Sequence, residues 1–172
     1  VSDLKDLAVE ITERLREHFP DTHLAVQQVL GLAEEAGEFV GAYRRWAGMA
    51  RRSGPWADVQ AELADVVVTA YVTAHIFGID VDAMQLEPRE SQNAYRQVMR
   101  VFVAAGKAVE AYGLIRGRGG AALFATRLAV TVSAARPAAT VLGIDLDAAV
   151  GEKTELIRSR GWRDRPAGEV SQ

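Results

Sequence analysis

The chain has no cysteine, so it forms no disulfide and offers no thiolate to a metal. Histidine is nearly as scarce: His18, His23 and His75 are the only copies, and they show no ligand spacing. His75, in an apolar stretch, is expected to be a hydrogen-bonded core residue. No apolar run approaches the roughly 20 residues that span a bilayer, and no secretory signal is read at the start. A formal net charge of −3 supplies neither a basic surface for wrapping nucleic acid nor a polybasic membrane patch. These absences lead to the expectation of a soluble, cytoplasmic protein with no membrane and no nucleic-acid polymer as partner. What is present is a large apolar fraction, 49% of 172 residues, enough for one domain with a proper core.

Apolar spacing predicts helices from end to end. Leu4, Leu7, Ile11 and Leu15 make one stripe, so 3–19 reads as an amphipathic helix that Pro20 stops. Asp21 or Thr22 can cap a second helix over 22–46. A basic, glycine-containing segment follows, and Pro55 suits the first turn of a third helix over 56–77. Within it DVVVTAYV has the β-branching of a strand. Its length and the spacing of Leu63, Val66, Val67, Ala70, Tyr71 and Ala74 favour a helix. Gly78 supplies a C-terminal cap, and Asp80 is expected to open a short helix.

Two acidic runs stand on these helices: EEAGE (Glu34, Glu35, Glu38) and ELADV (Glu62, Asp65). Residues three or four apart share a helix face. Glu35 therefore projects with Glu38, Glu34 lies beside Glu38, and Glu62 pairs with Asp65. Packed side by side, the two helices gather four or five negative charges in a small volume, which is costly to bury without compensation. A hard divalent cation resolves it, magnesium first and manganese second, since such ions take oxygen ligands and keep positions for water and phosphate.

The chain also repeats. GIDVDA at 78–83 returns 65 residues later as GIDLDA, and AVQQVLGLAEEAGEFVGAY at 25–43 aligns, 69 residues on, with AYRQVMRVFVAAGKAVEAY. A further helix is expected over 145–160. The second copy keeps the packing positions and none of the acids: Glu34, Glu35 and Glu38 align with Val103, Ala104 and Lys107, while Glu62 and Asp65 align with Arg127 and Val130. Decorative surface acids would have left some polar remnant. Their replacement by apolar or cationic residues fits one half keeping a site and the other serving as scaffold. The expected organisation is a single domain: a metal-binding repeat with its N-terminal helix (1–87), a degenerate scaffold repeat (88–162) and a flexible tail (163–172). Pro137 aligns with Val72 in mid-helix, where proline removes a hydrogen bond, so a bend is expected there.

Glu-Glu-x-x-Glu followed by Glu-x-x-Asp, with 24 residues from Glu38 to Glu62, resembles the signature of the MazG-like, all-α nucleoside triphosphate pyrophosphohydrolases, relatives of the dimeric dUTPases and dCTP pyrophosphatases. GLAEEAGEF, ELADV and GIDVDA are similar in their flanking text. EKTELIRSRGW resembles the family's tail, with Ile157 where asparagine would stand. The resemblance covers 20–84 well and 94–162 as a degenerate copy. It implies an all-α, four-helix-bundle-like fold, here an internally duplicated pseudo-dimer, and cleavage of a (deoxy)nucleoside triphosphate between the α and β phosphates. It implies that Glu35, Glu38, Glu62 and Asp65 hold magnesium, and that Glu34 binds a further ion or orients the attacking water. Further self-association, to a homodimer, is an added expectation.

Other candidates follow from chemistry and place. Lys153, Arg158 and Arg160 are the expected phosphate contacts. Arg44, Arg45, Arg51 and Arg52 read as solvated loop and helix-end cations, and Lys107 and Arg127 as surface or salt-bridge residues rather than phosphate ligands. Gln27 and Gln28 lie two turns before Glu34 and Glu35 and can reach a base edge, with Gln27 preferred. Trp46 and Trp56 border the loop and can stack on a base or anchor the hairpin. Two rival readings stand: a non-catalytic nucleotide-binding regulator, and phosphoribosyl-ATP pyrophosphohydrolase, against which the duplication counts.

Overall fold

The computed structural model describes residues 2–84, 86 and 91–160. The expected tail at 163–172 and the expected boundary between the halves at 87/88 lie outside the described residues. Among these the chain is all-helical, with α1 (Ser2–His18), α2 (Asp21–Trp46), α3 (Trp56–Ile76), α4 (Ala94–Gly113), α5 (Gly120–Leu142) and α6 (Leu146–Arg160). Helices α2 and α3 form one hairpin, α4 and α5 another. The hairpins pack α2 on α4 and α3 on α5, closing a ring of four, and α1 and α6 both lie on α3.

Helix α3 is the hub. It touches α1, α2, α5 and α6, and a helix covered on most sides must be apolar on most sides. That explains why Val66, Val67, Val68 and Val72 are all buried, and why a β-branched run is helical: its tertiary surroundings override a weak local preference. Phe39, Leu63, Val66, Leu128 and Phe124 are among the fully enclosed side chains of the shared core. At one end of the bundle Phe77, Tyr112 and Phe124 form a ring cluster, with Phe77 and Phe124 edge-on at 4.9 Å and Tyr112 at 5.7 Å from each. At the other end of α3, Trp46 and Trp56 meet at 4.5 Å across the hairpin they close.

The repeated hexapeptides make matching turns. Gly78 and Gly143 have φ of 64° and 71°, a left-handed backbone that glycine adopts without steric cost. In each turn the next isoleucine closes a bond five residues back: Ile79 N–H donates to the Ala74 carbonyl and Ile144 N–H to the Ala139 carbonyl, both at 2.9 Å. Asp145 then accepts from Ala148 N–H at 3.0 Å and α6 follows.

Asp80 departs from its expected role. It accepts from the N–H groups of Asp82 and Ala83 and pairs with Lys5 at 2.9 Å, yet 81–84 is a turn and not a helix. Pro88 denies a helix begun there its second turn. The start of α2 also differs from expectation. Pro20, at φ −60° and ψ 141°, itself occupies the N-cap position, and its own side chain makes no cap hydrogen bond. The ring that ends α1 already holds the extended geometry a cap requires. Helix α5 is continuous through Pro137, which is buried. His75 is exposed rather than in the core, because it falls on the outward edge of α3.

Phe124 is fully enclosed between Phe77 and Tyr112. The substitution Phe124→Ala is expected to lower unfolding stability by about 3–5 kcal/mol while leaving most helicity, as read by urea titration followed in the far ultraviolet.

Candidate metal centre

Glu35 on α2 and Glu62 and Asp65 on α3 each direct a carboxylate oxygen to one place, all within 4.8 Å of one another. The backbone makes this happen simply. Glu62 and Asp65, three apart, occupy one face of α3, and the packing of α2 on α3, whose buried residues share one core, sets Glu35 opposite them. All three are half-buried, so they lie at the margin of the core where water screens them incompletely.

Their electrostatics follow. Burial, aided by the charges of Asp65, Glu38 and Glu62, pushes the Glu35 carboxyl up to about 7. Burial and the charges of Glu38 and Asp65 push Glu62 up to about 7 as well. Lys153 opposes both effects. It reaches in from α6 and forms an ion pair with Asp65. Lys153 thus brings a cation to the group, a charge-assisted contact held in a poorly screened place. Three hard oxygen donors, crowded to the point that two carboxyls hold protons near neutrality, suit a divalent ion of the magnesium type.

Glu38 is exposed, but its charge acts on both raised carboxyls and it shares a hydrogen bond with Glu62. It stands at the rim of the group. Glu34 is exposed and is not one of the three converging carboxylates. Gln27, two turns upstream, is half-buried, and its Oε1 is buried without a hydrogen-bond partner, an acceptor of the kind that normally finds a donor. Gln28 is also half-buried, and its backbone carbonyl takes a bond from Thr73 at 3.4 Å. Trp46 remains 46% exposed beside Trp56, which leaves its ring available to solvent.

The expected phosphate contacts separate. Lys153 is in the group. Arg158 lies elsewhere, bonded to Glu10 of α1 at 2.8 and 3.1 Å, where it fastens α6 to α1. The side chain of Arg160 lies outside the described residues. Ile157 packs against the core, an apolar environment that accounts for an apolar residue there. Arg51 and Arg52 are exposed, as solvated loop cations are. Lys107 is exposed and Arg127 half-buried, in keeping with the surface rather than the salt-bridge alternative expected of them. Neither has an ion pair among the described residues, and both line a separate cavity between α4 and α5. The sequence offered no signal for the Lys153–Asp65 pairing beyond the presence of a lysine on a later helix, since its partner lies 88 positions away.

Comparison of the chain with protein-family models, with characterised proteins and with solved structures finds no match.

Carboxyls raised from 4.5 to about 7 bind protons more tightly in the folded than in the unfolded chain across that interval. In the absence of divalent ions, stability is therefore expected to fall as pH rises through it, by on the order of 1 kcal/mol once solvent screening is allowed for. Magnesium should flatten the slope, because cation binding displaces the same protons. Urea titrations at pH 5 to 8, with chelator and with magnesium, read this directly; stability rising with pH in chelator would contradict it.

Proposed function

We propose that the chain is a magnesium-dependent nucleoside triphosphate pyrophosphohydrolase, releasing a (deoxy)nucleoside monophosphate and pyrophosphate. The observation that carries the reading is the convergence of Glu35, Glu62 and Asp65 within 4.8 Å, from the two acidic runs whose order and spacing resemble the MazG-like signature. Clearance of unwanted nucleotides in the cytoplasm is the role this suits, and self-association to a homodimer belongs to the same proposal.

The residues present fit a divalent ion: three carboxylates for direct contact and Glu38 at the rim. When bound, such an ion supplies positive charge against the triphosphate and acidifies water in its neighbourhood. The chain's own groups do the rest. Glu34 is assigned to orient the water that attacks the α-phosphorus; the α–β anhydride P–O bond breaks and pyrophosphate leaves with the electron pair. Lys153, held at Asp65 in the absence of substrate, is assigned to turn its ammonium to a phosphate oxygen. Gln27 is assigned to the base through its Oε1; Trp46, at the far end of α2, is too distant to stack on the same base. Substrate held in this way reacts as an oriented complex, which contributes much of the rate.

The test is incubation with a panel of deoxy- and modified nucleoside triphosphates, and phosphoribosyl-ATP, in magnesium. Pyrophosphate and monophosphate are the expected products, and Asp65→Asn should cut turnover at least 100-fold while leaving helicity unchanged. Orthophosphate as the released product would contradict α–β cleavage. A second reading is favoured by Ile157, which packs against the core where the resembled tail has asparagine: a metal-dependent nucleotide-binding regulator. No turnover, with magnesium-dependent nucleotide binding that Glu38→Ala abolishes, would select it.

A further inference from the structure

Between α4 and α5 lies a cavity of about 470 Å³, with Leu86 contributing from the segment that precedes α4. Its lining includes Val103, Ala104, Lys107, Arg127 and Val130. In the internal alignment these are the counterparts of Glu34, Glu35, Glu38, Glu62 and Asp65. The half that lacks the acids has not closed over the space. It keeps an open chamber of opposite charge.

The chamber has two chemically distinct parts. Arg100, Lys107 and Arg127 supply the cationic part. Arg100 and Lys107 are two turns apart on one face of α4, and Arg127 comes from α5. Gln97, 1% exposed, accepts from Arg100 Nη1 at 3.2 Å and donates from Nε2 to the Ser91 carbonyl at 3.3 Å. That chain of bonds fixes the guanidinium at the chamber wall. Lys107 and Arg127 have no ion pair among the described residues. Met99, Val103, Val130 and Ala134 supply the apolar part, and Met99 and Val103 are 39% and 44% exposed. The volume falls in the range of small-molecule sites, about 300–1,000 Å³, and far exceeds what a lone phosphate needs.

We propose that this chamber is a second, metal-independent binding site for an organic phosphate: a phosphomonoester seated on Lys107 and Arg127, with a planar apolar body on Met99, Val103 and Val130. Lysine and arginine serve phosphate without an intervening cation, whereas a carboxylate group needs one. The chain thus carries two anion-handling sites built on opposite principles.

The experiment uses the full chain in chelator, so that any site dependent on Glu35, Glu62 and Asp65 is silent. AMP and dCMP serve as probes, with inorganic phosphate beside them, followed by calorimetry and by amide shifts in 1H–15N spectra. Saturable nucleotide binding, with shifts centred on 99–107 and 127–134, is expected. Lys107→Ala and Arg127→Ala should each weaken it about tenfold, Arg127→Lys should restore most of the loss, and Glu35→Gln should leave it unchanged. Lys107 is exposed, so its variant is expected to keep wild-type helicity. Absence of saturable binding, affinity insensitive to both cations, or shifts confined to α2 and α3 would each overturn the proposal. Inorganic phosphate binding as tightly as AMP would overturn its apolar half. Failure of triphosphate hydrolysis leaves these readouts untouched.

Discussion

Three carboxylates on two neighbouring helices cannot all be charged at this separation without a cation close by, and much of the molecule answers to that constraint. Asp65 has Lys153. Glu35 and Glu62 have no ion pair of their own among the described residues and hold protons up to about neutral pH. Lys153 arrives on α6, 88 positions after Asp65, so the group is complete only when that later helix has folded onto α3. Helix α6 in turn is fastened on α3 and tied to α1 through Arg158 and Glu10. The distribution of rigid core and acidic margin is the same physics seen from two sides: Leu63 and Val66 must be enclosed, and the residues beside them are carried to the edge of that enclosure.

The two halves of the bundle meet the constraint differently. In α2 and α3 the acids crowd together, and Lys153 pairs with one of them. In α4 and α5 the corresponding positions are apolar or cationic, and a chamber stands open among them. The packing is alike in both hairpins: Val98, Ala105 and Ala111 are buried, as are Val29, Ala36 and Ala42, with which they align in sequence. The matching turns after α3 and α5, each with a left-handed glycine and an isoleucine bond at 2.9 Å, are the most exact local likeness between the halves.

Helix existence and the acidic convergence were legible in the sequence because both depend on short-range periodicity. The face shared by Glu62 and Asp65 follows from 3.6 residues per turn, and α2 begins one residue from its expected start. What escaped was decided by contacts distant in sequence or by competing local geometry. The Pro20 cap turns on backbone angles rather than on a side-chain acceptor. Asp80 carries the same local text as Asp145, but Lys5 binds it and Pro88 follows. His75 sits among apolar neighbours in sequence yet on the outer edge of α3 in space. Arg158 belongs to a tail resembling a phosphate-binding one and is engaged instead by Glu10, on the first helix. Lys107 and Arg127, readable in sequence only as replacements for acids, proved to line a space that no periodicity announces.

The central claim is that Glu35, Glu62 and Asp65 form a site completed by a divalent cation. Electron paramagnetic resonance of manganese titrated into the protein counts bound ions without reference to any substrate. The account predicts saturable manganese binding that magnesium displaces and that Asp65→Asn abolishes with helicity intact. Manganese that stays free at millimolar concentration, or binds equally well to the variant, would contradict it.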